Sequence, residues 1–100
     1  MVDITISKNG IPIRLTDERW GHIINKHPDL ANRQLELLQA ITEPNRILEG
    51  SEQELLAISE FTPGKWLVVA YREFEDDGFI ITAYLTRKIR SLNRRRQLWP

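Results

Sequence analysis

Over residues 3–14 apolar and polar positions alternate loosely, with Ile4 and Ile6 before the pair Asn9-Gly10 and Ile11, Ile13 and Leu15 after it. Two strands joined by a tight turn are expected, because Asn and Gly both tolerate the positive φ of a type I′ hairpin. The hairpin is short and belongs at a sheet edge. From Leu15 the period becomes helical. At about 100° per residue, Trp20, Ile23, Ile24 and His27 share one stripe, and Arg19, His22 and Lys26 the opposite, solvated flank. Thr16 is the expected N-cap, with Asp17 and Glu18 at the positive end of the helix dipole. Pro28 lacks an amide hydrogen and drives His27 out of the helical region, so the helix stops there.

A second helix is expected over Leu30 to Thr42, where Leu30, Leu37, Leu38 and Ile41 recur at helical spacing, with Asp29 as its cap and Pro44 after its end. Beyond Asn45 the period is that of strands: 46–49, then 54–61, then 65–74 after the Pro63-Gly64 turn, and 79–88 after Asp76-Asp77-Gly78. In the last strand alternation groups Phe79, Ile81, Ala83 and Leu85 on one face and Ile80, Thr82, Tyr84, Thr86 and Lys88 on the other. In the strand before it Trp66, Val68, Ala70, Arg72 and Phe74 share a face. The fold expected is α+β: a short N-terminal hairpin, then two helices on one face of a three- or four-stranded antiparallel sheet. Residues 1–88 make one domain and residues 89–100 a basic C-terminal tail.

One hundred residues suffice for one modest core. The absence of cysteine excludes disulfides, thiolate chemistry and cysteine-rich zinc sites. Two histidines five residues apart without an HExxH context make a weak metal case, so no metal and no cofactor are expected. No long apolar run and no signal-peptide pattern appears, which points to a soluble cytoplasmic protein without a membrane partner. The net charge of zero hides an asymmetry. Residues 1–77 hold all fourteen acids against eight Lys and Arg, a net −6, while residues 78–100 hold six Lys and Arg and no acid, a net +6. Such a basic segment either binds phosphates, releasing their counterions, or neutralises the acidic body within the chain or across a homodimer.

The candidate chemistry follows from residue type. His27 is either a half-buried histidine bonded to a carbonyl or a general acid/base at the edge of the core, since imidazole exchanges protons near neutral pH. Arg72, on an otherwise apolar row, is either a snorkelling arginine or a phosphate ligand. Tyr84 and Thr86 are either ordinary strand residues or positioning hydrogen-bond donors. Trp99, beside Arg94, Arg95 and Arg96, either stacks an unpaired base or anchors the chain end on the body.

The helix reading W-x-H-I-x-x-x-H-P (Trp20 to Pro28) and the last strand ending T-A-Y-L-T-R-K (Thr82 to Lys88) give the chain a resemblance to the BECR-type nucleases, the group of barnase, EndoU, the tRNA-cleaving colicins and RelE. It covers about residues 10–90 and is similar to phage-type domains of that group. The resemblance implies a metal-independent endoribonuclease, toxin- or phage-effector-like, with His27, Arg72, Tyr84 and Thr86 as catalytic residues. His22, Lys88, Arg90, Arg94, Arg95 and Arg96 would bind the substrate. RNA is the implied partner, with a protein inhibitor or antitoxin as a further one. The alternative is a noncatalytic RNA- or protein-binding module on the same fold, or a toxin–antitoxin subunit. Retention of His27, Arg72 and Thr86 where apolar residues would pack favours activity.

Overall fold

The first apolar runs form strands β1 (Val2–Ile6) and β2 (Pro12–Thr16), paired antiparallel, in a computed structural model that describes residues 2–100. The turn is wider than type I′. Gly10 alone takes a positive φ, 79°, while Ser7 exchanges backbone hydrogen bonds with Gly10 and Ile11, each 2.9 Å. Asn9 then turns its amide to Glu73 at 2.8 Å, and Ser7 Oγ donates to the same carboxylate.

Thr16 caps helix α1 (Asp17–Lys26) by accepting from the Arg19 N–H at 3.1 Å, and the helix stops at His27 (φ −130°, ψ 73°), as Pro28 requires. The second helix differs from expectation. Pro28–Leu30 make a 3₁₀ turn, and α2 (Gln34–Thr42) is capped by Arg33 with no side-chain bond. Asp29 is spent inside the 3₁₀ turn and caps nothing at α2. Strands β3 (Arg46–Glu49), β4 (Leu55–Thr62), β5 (Lys65–Glu73) and β6 (Gly78–Thr86) form the antiparallel meander.

The sheet is not the three- or four-stranded antiparallel one expected. Among the described residues it has seven strands in the order β1-β2-β6-β5-β4-β3-β7, with β2 parallel to β6. A four-stranded meander leaves two edges of unpaired amides and carbonyls, and here the chain's own ends cover both. The hairpin adds to β6, and the segment expected as a tail instead forms α3 (Ile89–Asn93) and β7 (Gln97–Trp99), which pairs with β3. The two expected helices do share one face, and the unexpected third lies on the other. Ile23 of α1 and Leu37, Ala40 and Ile41 of α2 pack with Leu67, Val69, Tyr71, Ile80 and Ala83, while Leu92 of α3 packs on the reverse face with Leu48, Leu56, Ile58, Val68 and Ala70. Among the described residues no helix is long and apolar enough to cross a membrane.

The turn after β1 reaches the opposite edge through a side chain, since Lys8 Nζ stands 4.7 Å over the Trp99 ring. Helix α2 packs against β1, where its Thr42 hydroxyl donates to the Ile6 carbonyl at 2.8 Å. Trp99 is an anchor between the edges, with Lys8 on its face, rather than a free platform.

Register corrects one face assignment. Tyr71 pairs with Ile80 and Ala70 with Thr82, so Ile81 is an extra residue in β6. Ile80 consequently lies with Ala83 and Leu85, and Ile81 with Tyr84 on the reverse face. Gly78 starts β6 where β2 crosses to it, opposite both Ile13 and Glu73. A Cβ there would lie 2.3 Å from the Arg72 carbonyl oxygen and 2.6 Å from Ile13 Cδ1. Gly78→Ala should destabilise the fold by roughly 1–3 kcal/mol, the usual scale of overpacking, measured by urea melts. A melt equal to wild type would mean the junction is not close-packed.

Tyr71 is fully buried, and its hydroxyl makes no hydrogen bond among the described residues. Burial first, and the Glu73 charge second, push its pKa up. Because the folded state holds this proton more tightly than the unfolded chain, the stability it confers is complete below the ordinary tyrosine range and is lost as pH rises beyond about 10. Tyr71→Phe should flatten that alkaline loss in melts compared between about pH 8 and 11, at little or no cost near neutrality, since an unpartnered buried hydroxyl is itself unfavourable. An unchanged alkaline slope would remove Tyr71 as its source.

Candidate functional site

The β2–β6 pairing lasts two rungs, Ile13 with Gly78 and Arg14 with Phe79; β2 runs on to Thr16 and α1 begins at Asp17. The helix then runs beside β6 in place of a strand. His27 accordingly lies against Tyr84, with ring centroids 6.2 Å apart and planes tilted by 38°.

Between α1 and β6 runs a groove of about 380 Å³ lined by Arg19, His22, Ile23, Lys26, His27, Ile81 and Thr82. The flank read as solvated is thus a wall of the groove that also holds His27. His22 is exposed and opens as well onto a shallower depression with Glu18, Gly21 and Asn25. His27 itself is half-buried.

Tyr84 is half-buried against the reverse-face core. Burial raises its pKa, the nearby Arg95 charge opposes the shift, and Glu54 adds to it; the net direction is upward. Its hydroxyl therefore remains a proton donor well into alkaline solution. Arg95 arrives from the end of α3, where its N–H bonds the Leu92 carbonyl at 3.0 Å.

The other sequence-derived candidates are dispersed. Arg72 lies on the face of Trp66, Val68 and Ala70 as expected, but four strand residues from the partner of Tyr84, and its guanidinium donates to the Glu52 carbonyl at 3.1 Å. Thr86 is on the face of Tyr84 with its hydroxyl accepting from the Lys88 N–H at 3.0 Å, which turns the chain toward α3. Lys88 is the N-cap residue of α3, and Arg90 lies on it, exposed. Arg94, Arg95 and Arg96 follow it with exposed side chains, though the Arg96 carbonyl accepts from Glu49 N–H at 2.8 Å.

Arg19, Lys26, Thr82 and Glu54 were not singled out. Thr82 sits inside the T-A-Y-L-T-R-K motif, and Arg19 and Lys26 share the flank of His22, so both signals were present without the placement of α1 that joins them. Among the described residues no three His, Asp or Glu side chains converge as a cation site. Fold and groove together define a small α+β domain with a cationic, histidine-bearing groove at a sheet edge. No family model, curated protein or solved structure matches the chain.

Proposed function

We propose that the chain is a metal-independent endoribonuclease, toxin- or phage-effector-like, acting in the cytoplasm and held in check by a protein inhibitor or antitoxin. The reaction is attack of a ribose 2′-oxygen on the adjacent phosphorus with expulsion of the 5′-oxygen, leaving a 2′,3′-cyclic phosphate and a 5′-hydroxyl. One group must take the 2′-proton and another must protonate the leaving oxygen. His27 is the general acid/base, and His22, which lines the same groove, is the second imidazole available for the other proton. Tyr84 donates to a phosphate oxygen, while Arg95, Arg19 and Lys26 oppose the negative charge that builds on the phosphate.

The observation that carries the proposal is that His27, which lines a groove together with Arg19, His22 and Lys26, has the Tyr84 ring against its own. A histidine serving only as a packing residue would not need Arg19, His22 and Lys26 around it. The test is incubation of the purified protein with total RNA in EDTA, beside His27→Ala, with the cleaved ends mapped. Cyclic-phosphate ends formed by the wild type and not by the variant support the proposal. A folded wild type that cuts no RNA turns the assignment to a noncatalytic binding module.

A further inference from the structure

Four residues stand in one register row on the sheet face away from α1 and α2: Ile4 opposite Arg14, Arg14 opposite Phe79, and Phe79 opposite Arg72. Paired residues point to the same side of a sheet, so Phe79 has an arginine on either hand. Arg14 is held by Asp77 at 2.7 Å and Arg72 by the Glu52 carbonyl at 3.1 Å, which fixes both guanidinium groups. The Phe79 ring lies 5.9 Å from that of Phe74, whose side chain is 56% exposed. The reverse-face core around Leu92 does not reach this end of the sheet.

A cleft of about 210 Å³ opens beside the ring, lined by Arg14, Thr16, Arg19, Phe79 and Ile80. Arg19 also lines the groove of His27, so the two depressions adjoin. Phe79 is five residues from Tyr84 along β6, about 16 Å at the rise of a strand. A nucleotide seated there is not the one being cut. The turn carboxylates of Glu75 and Asp76 bound the track on the far side, because they repel phosphate, while Asp77 is paired with Arg14.

We propose that Phe79, between Arg14 and Arg72, is a base-stacking subsite for single-stranded RNA, taking a nucleotide beyond the one cut at the His27–Tyr84 edge; this rests on the ribonuclease proposal. Phe79 is half-buried, so a base would stack on the part of its ring that borders the cleft, a contact open to any base, and the flanking guanidinium planes add stacking and phosphate contact. An apolar patch alone would suit a protein equally well. The two arginines and the continuity with the cationic groove favour a nucleic acid strand.

The experiment measures anisotropy of a fluorescein-labelled 2′-fluoro hexaribonucleotide, which lacks the attacking hydroxyl and so reports binding without cleavage, beside the corresponding dinucleotide. Loss of one base stack corresponds to roughly 5- to 150-fold in affinity. Phe79→Leu, which keeps an apolar side chain of similar bulk and removes the ring, should weaken hexamer binding by about tenfold on this scale. Phe79→Tyr should retain wild-type affinity, and dinucleotide affinity should not change in either variant. Hexamer binding by Phe79→Leu equal to wild type overturns the subsite while leaving the ribonuclease proposal standing. If the wild type binds no hexamer and instead self-associates in sedimentation in a manner that Phe79→Leu disrupts, the face is a protein contact and the subsite is overturned. Failure of the ribonuclease proposal is distinct, since it appears as absent cleavage of total RNA by a protein that still binds the hexamer.

Discussion

Replacing His27 with alanine is expected to lower RNA cleavage by at least about 100-fold, the usual scale for a lost general acid or base. The substitution isolates chemistry from folding for a structural reason. His27 ends α1 through its backbone, whose N–H bonds the Ile23 carbonyl at 2.8 Å and whose carbonyl accepts from Leu30 N–H at 3.0 Å, and alanine keeps both bonds. Its ring is half-buried in the lining of a groove rather than sunk in the core, so its removal leaves no closed cavity. Single-turnover cleavage at saturating protein, with a thermal melt alongside, is the measurement. Full activity in a folded variant would remove His27 from the mechanism. A parallel loss in His22→Ala would identify the second proton carrier, and no loss there would assign that role elsewhere in the groove.

Replacing Arg94, Arg95 and Arg96 together with glutamine should reduce the salt dependence of RNA binding. Each phosphate contact with a single strand contributes about −0.7 to the slope of log affinity against log salt, so three lost contacts bring that slope nearer zero by about 2. The charges must be removed by substitution and not by truncation. Leu92 is 4% exposed in the reverse-face core, the Arg96 carbonyl bonds Glu49, and β7 covers the edge of β3, so deleting the segment would strip the sheet. Glutamine preserves those backbone bonds. Affinity titrations across a salt series decide the matter, and a slope equal to wild type would mean that the arginines serve the fold and not the phosphates. Arg95 differs from its neighbours because its charge also reaches Tyr84. Arg95→Gln alone should therefore leave the Tyr84 hydroxyl titrating still higher.

Local features were legible where a single residue decides the local structure. The Thr16 hydroxyl and the ring of Pro28 set both ends of α1, and the β-branched and aromatic runs placed β3 to β6 within a residue or two. Asp29 misled because an acid before an apolar run is equally suited to a 3₁₀ turn, and here the turn Pro28–Leu30 takes it and buries Leu30 in the core. Faces in β6 slipped at Ile81 because a bulge leaves no mark in an unbroken run of strand-forming residues.

Arg19, His22 and Lys26 belonged to a solvated flank on helical geometry alone. They became groove walls because α1 takes the place of a strand beside β6 and turns that flank along the sheet edge. The chain by itself determined both ends of α1, the far end of α2, the limits of β3 to β6, the placement of His27 at a helix terminus and the charge asymmetry, since each depends on residues adjacent in sequence. The meeting of His27 with Tyr84, the parallel docking of the hairpin and the closing of the sheet by β7 were decided only in three dimensions. They depend on which open edges remain to be paired, a property of the assembled sheet that no single stretch of sequence carries.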